Sequence, residues 1–298
     1  MKNSKAHAAV LAANLIFGIN FSVVQYITKK MVGPFGLNVI RVGVSSILLW
    51  ILLFFSSTKA GIKKEHIGRF ILCAFTGIFV NQMLFIKGLS MTLSIHASLL
   101  ILVTPIFITM VAAWLGTEPA TFTKVAGLVI GISGAVLLAL QKEHSGNASD
   151  ILWGDIFVII NGISYAFYFV LVKPLMKAYN PVHVIRWVFT FGLLFTLPFG
   201  WNQFAAIPWS EFQVADIAAV SFIVLGATFC TYLFNLYGIH HLGAGITGTY
   251  IYTQPIFAAI IAVIFLGERF TPFKVLAALL IVAGVLLVNR KSTAPLDT

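Results

Sequence analysis

Two arginines lie inside long apolar segments, where a charged side chain could bind an anion or form a gate. Arg41 and Arg186 each end the tripeptide Val-Ile-Arg, in surroundings that hold few other charges. A charge in an apolar environment is costly, so both residues are functional candidates. The alternative is structural, with each guanidinium tying a helix end to a neighbouring carbonyl or acid. The shared motif favours the structural task, and a gate or anion-binding role stays open.

One histidine also lies well inside an apolar segment. His96 could carry a proton, because an imidazole titrates in the physiological pH range, or it could be a packing residue. No acid lies at the centre of any apolar segment, and Asp155 and Asp216 fall at segment starts. A conventional carboxylate proton relay is therefore not expected. Any proton exchange would have to use His96 or a bound molecule.

Neutral hydrogen-bonding side chains form the largest candidate set. Any single amide or hydroxyl in such a segment is more often a bond between helices than a ligand contact. As a set, they predict a neutral, aromatic-lined cavity suited to amphipathic substrates. The predicted cavity residues are Asn14, Asn20, Asn81, Gln82, Thr104, Asn161, Tyr165, Tyr168, Thr231, Tyr232, Tyr250 and Gln254.

Two prolines interrupt apolar segments at the same depth as some of these polar residues. Pro105 follows Thr104, and Pro255 follows Gln254. Proline removes a backbone donor and frees the carbonyl four residues earlier, so a helix kink is expected at each. Free carbonyls in a membrane must face protein or water, which directs both kinks to a central cavity. Kinks that serve packing alone are the alternative.

The elements that position these residues must be transmembrane helices. Of the 298 residues, 59% are hydrophobic and 9% are charged, and the mean hydropathy is +0.98. Too little polar material exists to cover a soluble globule of this size. About 20 apolar residues span a bilayer as a helix. This length predicts ten spans: Ala6–Ile27, Gly36–Phe55, Phe70–Gly88, Ile95–Leu115, Thr123–Leu140, Trp153–Val172, Val182–Phe199, Ala215–Tyr237, Gly245–Leu266 and Phe273–Val288.

Loop charges predict the orientation of these spans. With the N-terminus inside, eleven basic residues lie on the inner side and six on the outer side. Basic residues concentrate on the cytoplasmic side, so both termini are expected in the cytoplasm. The net charge of +10 is explained by these loops, and no nucleic-acid partner is expected.

The chain repeats itself. The triplet Pro-Ile-Phe occurs at Pro105 and again at Pro255, and "GIFVNQMLF" at Gly77–Phe85 aligns with "GATFCTYLF" at Gly226–Phe234. The matches keep their order, which predicts two five-helix halves, residues 1–145 and 150–298. Because five is odd, the second half enters the membrane from the opposite side, giving the inverted repeat found in many transporters.

The repeated signature resembles the EamA-type transporters of the drug/metabolite transporter superfamily. It consists of Pro105, Glu118, Thr121 and Gly134, then Pro255, Glu268, Thr271 and Gly284, together with "IFGINFSVV" at Ile16–Val24. The resemblance implies a carrier of the bacterial inner membrane that exports amino acids or other metabolites. The small multidrug carriers of that superfamily use a glutamate in the first helix, whereas residues Ala12–Val24 contain no acid.

The repeated glutamates have a structural interpretation. Glu118 and Glu268 each lie between two helices, next to the start of the following helix, where negative charge is favoured. Thr121 and Thr271 are predicted N-caps of those helices. Both glutamates are therefore expected at the membrane interface.

Several function classes and partners find no support in the sequence. No nucleotide loop, nucleophile elbow or acid pair indicates an enzyme, and no cofactor is expected. Cys73 and Cys230 lack metal-type spacing, so no metal site is predicted. The expected partners are the lipid bilayer and a small-molecule substrate. Gly127 and Gly131 could contact a helix of the same chain or of a second copy, leaving monomer and homodimer open. A non-transporting scaffold or lipid-handling protein is the alternative function.

Overall fold

The computed structural model describes residues 2–54, 61–117, 121–140 and 150–289, and within them the regular structure is helical. Nine helices in these ranges are long and apolar enough to cross a membrane, and a tenth is shorter. In chain order they are α1 (Lys2–Lys30), α2 (Pro34–Phe54), α3 (Lys64–Met91), α4 (Ser94–Trp114), α5 (Phe122–Ala139), α6 (Ile151–Ala178), α7 (Pro181–Ala205), α8 (Val214–Asn235), α9 (Ile246–Leu266) and α10 (Pro272–Asn289). The ten predicted spans correspond to these helices one for one.

Several helices extend beyond the apolar segments that predicted them. Helix α3 begins at Lys64 rather than Phe70, and α7 continues to Ala205 rather than ending at Phe199. Backbone hydrogen bonding continues past the apolar core, because polar side chains at a helix end can reach water at the interface.

The boundary between α8 and α9 differs from a simple turn. Helical backbone runs without interruption over Thr231–Thr249, across the predicted connection. A Cβ atom added at Gly238 would nevertheless lie 3.2 Å from the Thr247 hydroxyl. In a straight helix, nine residues rise about 13 Å. Gly238 and Thr247 therefore lie closer together than one straight helix would place them.

The helices pair in a reciprocal pattern that follows from the inverted repeat. Helix α1 packs on α8 and α9, and its counterpart α6 packs on α3 and α4. The self-related pairs α2–α7, α5–α10 and α4–α9 pack against each other. The fold is thus all-helical, with ten membrane helices in two inverted five-helix copies.

Helices α5 and α10 contact through small residues. A Cβ atom added at Gly284 would lie 2.5 Å from the Gly131 nitrogen and 2.6 Å from the Gly127 carbonyl oxygen. Only glycine leaves room for such close backbones. The sequence left open whether this stripe serves the chain itself or a second copy, and the structure shows that it packs two helices of one chain.

Both copies interrupt regular helix at corresponding places. Wide π-helical turns occur at Phe75–Val80 in α3 and at Phe222–Cys230 in α8, which overlap the aligned repeat sequences. Helix α4 breaks at Leu102 and Val103, before the turn that contains Pro105. In α9, a 3₁₀ turn over Tyr250–Thr253 precedes Gln254 and Pro255. Such irregularities in membrane helices expose backbone groups near functional sites.

Candidate functional site

Amide side chains join the two copies within the helix bundle. The Gln254 side-chain amide donates to Asn14 Oδ1 over 2.8 Å, linking α9 to α1. Asn81 and Asn161 each donate to the other's backbone carbonyl, at 3.2 and 2.8 Å, linking α3 to α6. The tripeptide "AAN" ending at Asn14 aligns loosely with "IIN" ending at Asn161 in the repeat, so each copy contributes one asparagine to a contact with the other copy.

Arg41 is buried beside a hydroxyl and a phenol of the second copy. Its Nε donates to Thr228 Oγ1 over 2.7 Å, and Tyr232 lies near enough to interact with its charge. Among the described residues, its buried Nη1 has no hydrogen-bond partner. A guanidinium that is fixed at Nε and open at Nη1 is able to bind an anionic group, because its planar donors match a carboxylate.

Further aromatic rings lie near Tyr232, the phenol beside this arginine. Tyr165 and Tyr168 have ring centroids 5.8 Å apart, and both interact electrostatically with Tyr232. The Tyr232 ring meets Phe189 edge to face at 5.8 Å. These rings lie on α6, α7 and α8, so the arginine of the first copy faces aromatic groups of the second.

Arg186 matches Arg41 in sequence but has different surroundings. Its Nε donates to the Leu49 carbonyl over 3.0 Å, and its guanidinium lies 5.4 Å from the Trp50 ring centroid. These contacts connect α7 to α2, as expected for a helix tie. Both of its terminal nitrogens are buried without hydrogen-bond partners in the described structure.

The other predicted cavity residues are scattered. Asn20 Oδ1 and Gln82 Oε1 are buried without a partner among the described atoms. Thr104 lies close to Gly162 of α6. Thr231 bonds the carbonyls of its own helix. Tyr250 bonds His7 over 2.7 Å, at the end of the bundle where α1 begins.

Sequence reasoning missed an ionisable cluster at the other end of the bundle. His96 Nδ1 lies 2.8 Å from Asp155 Oδ2, and both side chains are completely buried. Asp155 was expected only as a helix start, yet it also accepts a hydrogen bond from Thr92. The predicted topology could have indicated this contact, because α4 and α6 begin on the same side of the membrane.

Glu268 stabilises a different helix from the one predicted. It is 4% exposed, and its carboxylate accepts the backbone N–H groups of Ser94 and Ile95 at 2.7 and 3.0 Å. It therefore caps α4 of the first copy and not the following helix. Thr121 and Thr271 do cap the helices that follow them, as predicted. Glu118 lies outside the described residues.

The described part of the chain contains no group of three or more His, Cys, Asp or Glu side chains that could hold a metal ion. The free cysteines, Cys73 and Cys230, lie on different helices, α3 and α8.

Ten membrane helices in two inverted copies, joined by polar contacts, define a membrane transporter fold. The chain belongs to the EamA-like transporter family, whose profile matches residues 4–140 and 152–290. This membership identifies a transporter and not an enzyme.

Known proteins with full-length similarity carry transporter names. An uncharacterized transporter of Archaeoglobus fulgidus is 27% identical, covering 97% of this chain and 99% of its own. A probable terminal-alkyne amino-acid exporter of Streptantibioticus cattleyicolor is also 27% identical, with coverages of 98% and 96%. A solved crystal structure shares the fold, with a TM-score of 0.61, 15% identity and 96% of each chain covered.

Proposed function

We propose that the protein is a secondary carrier that exports small metabolites, namely amino acids or related amphipathic compounds. Transport proceeds by alternating access, in which the two inverted copies exchange conformations around one central site. The site lies between the copies and uses Arg41 together with the neighbouring tyrosines and amides.

The observation that carries this proposal is the buried guanidinium of Arg41. Its Nε is fixed by Thr228, while Nη1 has no partner in the described structure. A substrate carboxylate would supply the missing acceptor, and the apolar part of the substrate would contact the rings of Tyr165, Tyr168 and Tyr232. The similarity to a protein named as an amino-acid exporter supports the same substrate class.

A ligand screen followed by transport assays tests the substrate class. Purified protein is first heated with amino acids, nucleosides and amphipathic drugs, since a ligand of the folded state raises the unfolding temperature. Counterflow of radiolabelled leucine and phenylalanine is then measured in proteoliposomes, with leucinamide as a competitor that lacks the carboxylate. We expect leucine to compete and leucinamide to fail.

The Arg41→Gln variant tests the residue itself. A hydrogen bond to a charged group contributes about 1.5–3 kcal/mol, so apparent affinity should fall by roughly 10- to 100-fold. Arg69→Gln, at an exposed arginine near the start of α3, is the matched control and should transport normally. Normal transport by Arg41→Gln would refute the role of Arg41 in substrate binding.

If the wild type moves no solute of a broad metabolite panel, the scaffold or lipid-handling alternative gains support.

The cellular setting is also proposed. The positive-inside distribution supports the bacterial inner membrane with both termini in the cytoplasm. A fluorescent reporter that matures only in the cytoplasm, fused to the C-terminus, would fluoresce in this orientation and stay dark in the opposite one.

A further inference from the structure

A histidine–aspartate pair is enclosed where α4 and α6 begin. His96 and Asp155 are both fully buried, and His96 Nδ1 lies 2.8 Å from a carboxylate oxygen. A carboxylate can only accept, so Nδ1 carries the proton of the neutral imidazole and Nε2 keeps a lone pair. Within the described structure, this Nε2 is buried and has no hydrogen-bond partner. The pair is thus arranged to accept one further proton at a defined atom.

A second carboxylate closes the same region. Glu268 binds the first N–H groups of α4, at Ser94 and Ile95, and interacts electrostatically with His96. Two lysines also interact with Glu268. They are Lys274 of α10, whose ammonium donates to the Arg269 carbonyl, and Lys29 of α1. His96, which belongs to the first copy, therefore interacts with two acids of the second copy.

This arrangement breaks the symmetry of the inverted repeat. Aligning Pro105 with Pro255 places Ile246 opposite His96, and aligning Asn14 with Asn161 places Ala8 opposite Asp155. Neither counterpart can ionise. Two symmetric copies would make the two access states similar in energy. The corresponding contact at the other end of the bundle joins His7 to the Tyr250 phenol and has no carboxylate. Among the described residues, a buried His–Asp pair therefore lies at one end alone, and it makes the energy difference between the states depend on pH.

We propose that His96, held by Asp155 and facing Glu268, is the proton-binding site of the carrier, and that its protonation keeps this end of the bundle closed. The proposal rests on the transport function proposed above. Protonation of Nε2 places an imidazolium against the Asp155 carboxylate, which lowers the net negative charge enclosed between the copies and strengthens their contact. Deprotonation leaves the two buried acids with less compensating charge, so this end opens more readily. The proton comes from water and returns to water, and no other bond changes.

The charge state of Glu268 acts in the same direction. Burial raises the pKa of its carboxyl, although the N–H groups of Ser94 and Ile95 oppose the shift. The closed arrangement therefore holds a proton on Glu268 more readily than an open, hydrated one would. A proton at His96 Nε2 or at the Glu268 carboxyl reduces the net negative charge enclosed at this end, so acid favours closure.

Cysteine accessibility tests this proposal without a substrate. Cys73 and Cys230 are replaced by alanine, and a single cysteine is placed at Leu93, which is 1% exposed beside the cluster. A reference cysteine at Trp209, which is 51% exposed at the same end of the bundle, corrects for the pH dependence of thiol reactivity. The full-length protein in detergent micelles is labelled with a polar maleimide from pH 5.5 to 8.0. The ratio of the two labelling rates reports opening.

We expect this ratio to rise at least about threefold from the acid to the alkaline end of this series, because closure requires a bound proton. His96→Asn keeps an N–H donor for Asp155 but cannot titrate, and it should remove most of the rise. His183→Asn is the matched control, because His183 is also buried but stacks on Tyr179 at the opposite end. Asp155→Asn provides a second variant of the same pair.

The proposal is overturned if the unmodified background shows no rise, if the rise persists in both His96→Asn and Asp155→Asn, or if His183→Asn removes it equally. These outcomes do not depend on any transported molecule. A carrier that fails to move amino acids but opens with this pH dependence would contradict the substrate class alone. A carrier that moves them without this dependence would contradict the proton site alone.

Discussion

At the scale of single residues, the central contacts come from amides and an arginine that each reach across to the other copy. Asn81 bonds the Asn161 carbonyl, Gln254 bonds Asn14, and Tyr232 lies beside Arg41. Their side chains belong to helices that must move relative to each other in an alternating carrier. Their loss should therefore affect transport more than folding.

Asn81→Ala, Tyr232→Ala and Gln254→Ala test this expectation. Interhelical hydrogen bonds in membranes contribute about 0.6 kcal/mol on average, so each variant should still be expressed and folded. Counterflow of the labelled amino acid should fall in each, and unfolding temperatures in detergent should change little. Normal transport in all three variants would show that the central site lies elsewhere.

Residue types predicted some of these contacts but not their partners. Adjacent residues on a helix point about 100° apart, so Asn81 and Gln82 could not share one environment. In the structure, Asn81 reaches α6, whereas Gln82 Oε1 finds no partner in the described residues. The pairing of His96 with Asp155 depends on how two distant helices pack, which no local pattern encodes.

At the scale of elements, hydropathy predicted the helices well because lipid enforces backbone hydrogen bonding within each span. It could not predict the π-helical turns at Phe75–Val80 and Phe222–Cys230, since their sequences are ordinary apolar helix sequences. The prolines did indicate where regular helix is interrupted. The glycines of α5 indicated a close-packed surface, whereas the pairing of particular helices was known only from the structure.

The contact between α5 and α10 gives a prediction with an internal control. In Gly284→Ala, the added methyl group would meet backbone atoms of Gly131 and Gly127, which cannot move aside as a side chain can. Overpacking of this kind costs about 1–3 kcal/mol, so the unfolding temperature in detergent should drop measurably. Gly248→Ala is the control, because nothing lies within 4 Å of a Cβ atom there. Equal effects of the two substitutions would contradict the close helix contact.

At the scale of the whole molecule, the two ends of the bundle are closed by different chemistry. At the Glu268 end, buried acids of the second copy bind the first copy, as in the contact of Asp216 with Lys30 at 2.8 Å. At the opposite end, uncharged phenols make the corresponding contacts, with Tyr179 bonding His66 and Tyr250 bonding His7. The inverted repeat supplies two similar frameworks, and the contacts at their two ends differ in charge.

Glu268 makes that difference measurable as a pH dependence of stability. Its folded-state pKa is raised above the ordinary value by burial, so its contribution to stability is fully present below the ordinary pKa and is lost as pH rises through the raised one. The folded protein should therefore lose unfolding free energy between mildly acidic and neutral pH. Glu268→Gln cannot ionise and should show a smaller decrease over that window, measured as unfolding temperature in detergent at a series of pH values.

Glu211→Gln, at an exposed acid near the start of α8, should keep the wild-type profile. A Glu268→Gln profile that overlays the wild type would mean that this carboxylate is as well stabilised in the folded protein as in water, and that the end it closes does not respond to acid through it.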